Sequence, residues 1–203
     1  MSATDRTRAP RKTKGERRDD IAFAALRVLG RGGRKALTIA NLAEEVGFTN
    51  GALYRHYASI EHIVAEAALI TIEAVEDTFP PSTYPALPRL MLLARERVNT
   101  LAGNAGHAWM LRSEQAPELL PEMTVTQLRG LVRRSRDYVL RAIREGSEAG
   151  TIRSDIAPEQ LTVIVMGTIH ALTGAGPQSG SAHADATKTL DALETVLTSG
   201  REQ

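Results

Sequence analysis

Thr38, Thr49, Asn50, Tyr54, Arg55 and His56 crowd hydroxyl, amide, phenol, guanidinium and imidazole groups into one short span. None of them stands beside a partner at the spacing of a nucleophile and its base. Their common chemistry is donation and acceptance of hydrogen bonds, the chemistry that phosphate oxygens and base edges of a duplex answer. Gly51 and Ala52 lie among them and add no bulk. A short helix with such a face fits a major groove.

The element that must position these groups is Leu37 to Tyr57, LTIANLAEEVGFTNGALYRHY. Thr38 is an N-cap for a helix from Ile39 to Val46, and Gly47 stops that helix where a positive φ is cheapest for glycine. Thr49 caps a second helix, Asn50 to about Tyr57. Two short helices across one glycine turn make a helix-turn-helix. Ala43 lets the helices approach, and Leu42, Val46 and Leu53 form the small core between them. Ahead lies a helix from about Glu16 to Arg31, with Ile21, Ala24, Ala25, Val28 and Leu29 on one face and Gly32-Gly33 at its end. Behind, Ser59 caps a helix from Ile60 to about Thr78, closed by Pro80-Pro81. Tyr57 is expected in the core beneath it.

This span resembles the TetR-type transcriptional regulators. The resemblance rests on Thr38, Leu42-Ala43, Val46-Gly47-Phe48-Thr49, Leu53-Tyr54, His56-Tyr57, Ser59 and Glu61, and covers about Glu16 to Ala67. The family often has a phosphate-contacting lysine where this chain has Ile60. The resemblance implies an all-α protein of about nine helices: a three-helix head over 16–60, a connecting helix over 60–78, and a helical effector-binding and dimerisation domain over 79–203. It also implies a homodimer through the last two helices, and a ligand cavity among the helices between.

Past Pro80-Pro81 the apolar spacing predicts helices from Ala86 to Ala102, Ala108 to Gln115, Thr124 to Ala149, Pro158 to about Thr173 and about Ala184 to Ser199, with a Gly/Ser/Pro loop from Gly174 to Ser181. In the long helix Leu128, Leu131, Val132, Val139, Ala142 and Ile143 point inward. Polar or large groups among apolar neighbours are the ligand candidates: His107, Trp109, Met110, Arg112, Gln127, Ser135, Tyr138 and His170. Each has a plain alternative as core or surface, and Arg133, Arg134 and Arg136 read as a solvated face.

Charge separates the two parts. Through Tyr57 the chain has 12 Lys and Arg against 6 Asp and Glu; the remainder has 13 against 18, so a formal net charge of +1 hides a basic head and an acidic body. Residues 1–15 read as a flexible basic arm, and Arg6, Arg8, Arg11, Lys12, Lys14, Arg17 and Arg18 either add affinity for DNA, reach a minor groove or form a solvated tail. That terminus has no apolar core of a secretory signal. Leu161 to Ala175 falls short of the roughly 20 residues a membrane span needs. A cytoplasmic protein is the expectation. With no cysteine there is no disulfide framework or thiolate site. The histidines lack a metal-ligand spacing, no cofactor loop is present, and Glu44-Glu45 and Glu76-Asp77 read as solvated surface, not paired catalytic acids.

The sequence therefore points away from an enzyme. It predicts a ligand-responsive DNA-binding regulator, a repressor that binds a palindromic operator as a homodimer and is released by a small-molecule effector. The alternative is a nucleoid-associated or partner-binding dimer without a ligand.

Overall fold

The computed structural model describes residues 13–174 and 180–199. Arg6, Arg8, Arg11, Lys12 and positions 175–179 of the expected loop lie outside the described residues. Among those described there is no strand, and the elements are nine α-helices and one 3-10 turn.

Helix α1 (Lys14–Ala36) begins ahead of the expected Glu16. The Thr13 hydroxyl accepts the Glu16 N–H at 3.2 Å while the Glu16 carboxylate accepts the Thr13 N–H at 2.6 Å. This reciprocal cap satisfies two otherwise orphaned donors and draws Lys14 and Gly15 out of the expected arm into the first turn. Gly32-Gly33 is a kink, not the end: Gly33 sits at φ 60 and a last turn runs on to Ala36. Helix α2 (Ile39–Val46) follows the expected bounds, with Thr38 accepting from Asn41 N–H at 3.1 Å and Gly47 left-handed at φ 74.

Helix α3 (Asn50–Tyr54) is shorter than expected. The cause is Tyr57, whose phenol donates to the Arg18 carbonyl at 3.1 Å and whose ring lies 4.6 Å from the Arg18 guanidinium. Anchoring that side chain on α1 bends the chain after Tyr54, although Tyr57 N–H still reaches the Leu53 carbonyl at 3.0 Å. Helix α4 (Ile60–Glu76) is capped by Ser59 as expected. Ile60 packs against the head core, so this position makes an apolar contact.

The body contains α5 (Ala86–Gly103), α6 (Ala105–Arg112), a 3-10 turn (Ala116–Leu119), α7 (Glu122–Glu148), α8 (Pro158–Gly174) and α9 (Gly180–Thr198). Helix α6 starts and ends earlier than the apolar spacing predicts, because Asn104 caps it by accepting the Gly106 N–H at 2.9 Å. Helix α9 starts at Gly180, ahead of the expected Ala184. One core joins α1 to α4 through Leu26, Leu29, Leu42, Leu53 and Ile63, and continues without a break into Met110, Ala116 and Leu128 of the body. A second core of Leu90, Leu93, Val139, Ile143, Leu161 and Leu193 ties α5, α7, α8 and α9.

The junction is tight where α1 crosses α6. A Cβ on Gly106 would stand 2.0 Å from the Leu26 carbonyl oxygen, and one on Gly30 would stand 2.6 Å from the Gly106 nitrogen. Only glycines let the two backbones meet this closely. Val132, expected inward, is 46% exposed, and Ile164 of α8 at 39% and Val196 of α9 at 40% are exposed apolar side chains as well. Among the described residues no helix is long and apolar enough to cross a membrane.

Candidate functional site

The head presents α3 outward. Thr49 caps it by accepting the Ala52 N–H at 3.2 Å, and Leu53 turns inward to the core, where it is 1% exposed. Thr38, Thr49, Asn50, Gly51, Tyr54 and Arg55 are exposed, and Ala52 is half-buried. A Cβ on Gly51 would meet no atom within 4 Å, so nothing inside the chain requires a glycine there. His56 differs from the others. Its ring stacks on Phe48 at 6.0 Å, and its Nδ1 is buried with no hydrogen-bond partner among the described residues.

A groove of about 750 Å³ runs between the first turn of α1 and α3. Lys14, Arg17 and Arg55 contribute cations to its lining, Thr13 and Thr49 hydroxyls, and no carboxylate lines it. Arg17 is held 5.5 Å from the Phe48 ring. Lys14 and Arg17 are thus fixed beside α3 instead of swinging on an arm. The T-x-x-E pattern of Thr13 and Glu16 is the sequence signal for this placement, and it was there to be read. Across the other side of α2, Glu45 is not merely solvated: Arg27 donates to it at 2.6 Å and Arg31 also pairs with it. These two cations hold its carboxyl below the usual carboxylate range. Glu76 likewise pairs with Arg134, so neither belongs to a free acidic or basic face.

The ligand candidates separate into groups. Arg112, Ser135 and His170 come together around a hollow of about 80 Å³ between α5, α7 and α8, against Leu101, Leu131 and Ile169. The others do not join them. His107 is 5% exposed and bonds Thr71 on α4 through Nδ1 at 2.9 Å. Since the Thr71 hydroxyl already donates to the Ala67 carbonyl at 2.9 Å, it accepts from His107, and burial pushes the imidazole below its ordinary 6.5. Trp109 and Met110 pack into the junction core. Gln127 is exposed on the outer face of α7. Tyr138 lies beside the second core, donating its phenol proton to the Pro80 carbonyl at 2.7 Å with its ring on Phe79.

Arg97 is the residue that sequence reasoning missed. It lies at 6% exposure in the wall of the same hollow. Its Nε donates to the Thr78 hydroxyl at 2.7 Å, one terminal nitrogen to the Ser135 hydroxyl at 3.2 Å and the other to the Val75 carbonyl at 3.4 Å. Burial pulls the guanidinium down to about 10, an effect that Glu76 partly opposes. The signal was its register: Leu90, Leu93, Ala94, Val98 and Leu101 define the buried stripe of α5, and position 97 lies within that stripe.

Residues 21–67 match the model of the bacterial regulatory proteins of the tetR family. No curated protein sequence matches the chain. Solved structures match nearly all of it at low identity. The ketosteroid transcriptional regulator of Mycobacterium tuberculosis is 19% identical with a TM-score of 0.74, over 95% of this chain and 99% of that one. The regulator AibR, in complex with isovaleryl coenzyme A and operator DNA, is 16% identical with a TM-score of 0.71, over 90% and 98%. FadR of Bacillus subtilis, in complex with stearoyl-CoA, is 18% identical with a TM-score of 0.59, over 88% and 98%. Residues 21–67 of this chain therefore match the tetR family of bacterial regulatory proteins, and the helical body that carries them has the fold of those solved structures.

Proposed function

We propose that the chain is a ligand-responsive DNA-binding transcriptional regulator, a repressor that works in the cytoplasm as a homodimer. The observation that carries this reading is the outward face of α3, where Thr49, Asn50, Gly51, Tyr54 and Arg55 stand free beside a groove lined with cations and no carboxylate. Exposed donors at that density, on a helix whose other side is welded to the core, serve base edges and phosphates. His56 contributes by stacking beneath Phe48 at the groove wall, and Thr38 by its hydroxyl at the start of α2.

Two such heads, related by a two-fold axis, read the half-sites of a palindromic operator. The faces left open on α8 and α9, with Val163 at 67% exposure, Ile164 and Val196, are where a second copy packs. The hollow between α5, α7 and α8 takes the effector, and α4 joins it to the head: it begins at Ile60 in the head core, and Val75 in its last turn accepts from Arg97 of the hollow. A coupling of about 1–3 kcal/mol between the two sites changes operator affinity about 5- to 150-fold. That AibR and FadR were solved with acyl coenzyme A ligands supports an effector site in this body. A partner-binding dimer without a ligand has no use for an arginine-lined hollow in its core.

The test is selection of genomic fragments by the purified chain, followed by footprinting of the fragments it retains. A protected palindrome, lost in the Tyr54→Ala, Arg55→Ala double variant with the oligomer unchanged, is the expected result. Retention of fragments without sequence preference, or unchanged affinity in the double variant, overturns the reading.

A further inference from the structure

The hollow between α5, α7 and α8 carries two guanidinium groups and not one carboxylate among its lining residues. Its remaining wall is mostly apolar. Arg97 uses three N–H donors on neutral oxygens and makes no ion pair among the described residues. Arg112, at the other end, donates to the His170 carbonyl at 2.9 Å and to the Thr173 hydroxyl, again neutral acceptors. The contrast with Arg89 is instructive. That guanidinium is buried to a similar depth, and it has Glu145. Taking a charge out of water without a counter-ion is costly, and buried charges are ordinarily paired. The Phe79 ring, 5.0 Å from the Arg97 guanidinium, offsets only part of that cost. Glu76, which acts on Arg97 from a distance, is bonded to Arg134 at the surface.

We infer that the effector is an aliphatic carboxylic acid, bound as its anion with the carboxylate on Arg97 and the alkyl part along Leu101, Leu131 and Ile169. This inference rests on the ligand-responsive reading above. A carboxylate supplies the missing counter-charge and matches the planar fork of a guanidinium with two parallel hydrogen bonds. The hollow itself is small, about 80 Å³ against the about 150 Å³ of an apolar cavity that holds benzene, so it takes the carboxylate end and the first carbons of a chain. Leu111 and Val132 also line a second apolar hollow of about 290 Å³. An alkyl chain that outgrows the first hollow has an apolar continuation there.

The same arginine gives the ligand a way to act. Two of its three neutral acceptors lie where α4 ends, the Val75 carbonyl in its last turn and the Thr78 hydroxyl two residues past it. A carboxylate competes for those N–H groups. Binding is then favoured in whichever arrangement of α4 releases Arg97, the differential affinity any population shift requires.

The experiment is calorimetric titration of the full chain with hexanoate, hexanamide and hexanoyl-coenzyme A, beside release of a retained operator fragment by each. Hexanoate is expected to bind about tenfold or more tightly than hexanamide, the loss of one charge-assisted pairing. Arg97→Gln is expected to abolish that preference, and Arg97→Lys to restore part of it. The comparison of acid with amide needs no variant, so it stands even if Arg97→Gln folds poorly. Equal affinity for acid and amide, binding of the thioester alone, or no binding of any acid from butyrate to decanoate overturns the inference. A chain that retains specific DNA but is released only by an uncharged compound refutes this inference alone; a chain with no specific DNA refutes the regulator reading itself.

Discussion

Gly51 stands inside α3, where a Cβ would meet no protein atom within 4 Å. Glycine in a helix is disfavoured by about 0.5–1 kcal/mol relative to alanine. Gly51→Ala is therefore expected to stabilise the chain by about that amount in denaturant unfolding while weakening operator binding, because the added methyl occupies the space a duplex would fill. A variant stabilised with operator affinity intact would remove α3 from the interface. Tyr54 and Arg55 have no such trade. Both are exposed and outside the core, so truncating them should leave unfolding within about 0.5 kcal/mol of the parent. Operator affinity should collapse. His107 makes its own prediction. Burial depresses its pKa in the folded state, so the unfolded chain binds the extra proton. The sign follows: His107 lends stability above its ordinary 6.5, and that stability is lost as pH falls from there through the lowered folded value. Melting temperatures of the parent and of His107→Gln, compared from about pH 8 to pH 5, should converge toward acid as the parent loses its advantage.

At the scale of elements, the weld of head to body is the crossing of α1 and α6, and α4 is held from both sides. The Leu26 carbonyl lies so near Gly106 that a methyl there must displace backbone, not a flexible side chain. Gly106→Ala is expected to cost about 1–3 kcal/mol, seen as a lower unfolding midpoint. The loss should reach the head core, since Met110 on α6 belongs to that cluster. That cluster runs from α1 to α4 and on into α6 and α7. Caps at α1, α2, α3, α4 and α6 come from Thr13, Thr38, Thr49, Ser59 and Asn104. These are short-range hydrogen bonds between residues two or three apart. Those of Thr38, Thr49 and Ser59 were read from the sequence because nothing distant takes part in making them; those of Thr13 and Asn104, equally local, were passed over.

For the molecule as a whole, the open apolar face of α8, with Val163 and Ile164 exposed and Val196 of α9 also exposed, is a demand the single chain leaves unmet. Val163 is 67% exposed there. Val163→Asp is expected to yield a monomer in sedimentation equilibrium, with operator affinity falling because a single head spans only one half-site. A dimer that survives the charge would place the interface elsewhere. The split of charge acts at the same scale. Since Lys14, Arg17 and Arg55 line the groove beside α3, the logarithm of affinity should fall linearly with that of salt concentration, and neutralising each one should flatten the slope by about one counterion. The acidic body has no part in that slope.

What the sequence determined by itself was the head: its caps, its glycine turn at Gly47, its apolar stripe and the polar face of α3, all set by spacing within a few residues. The described helices of the body were legible too, to within a turn or so at their ends. Tertiary structure alone decided which polar groups share a site. His107, Trp109 and Met110 went to the junction, Gln127 to solvent, and Tyr138 to a bond with Pro80, while Arg112, Ser135 and His170 met Arg97. A short polar pattern reports what a helix terminus needs. It cannot report what lies across the core, because that depends on how α4, α5, α7 and α8 pack, and packing unites residues far apart in the chain.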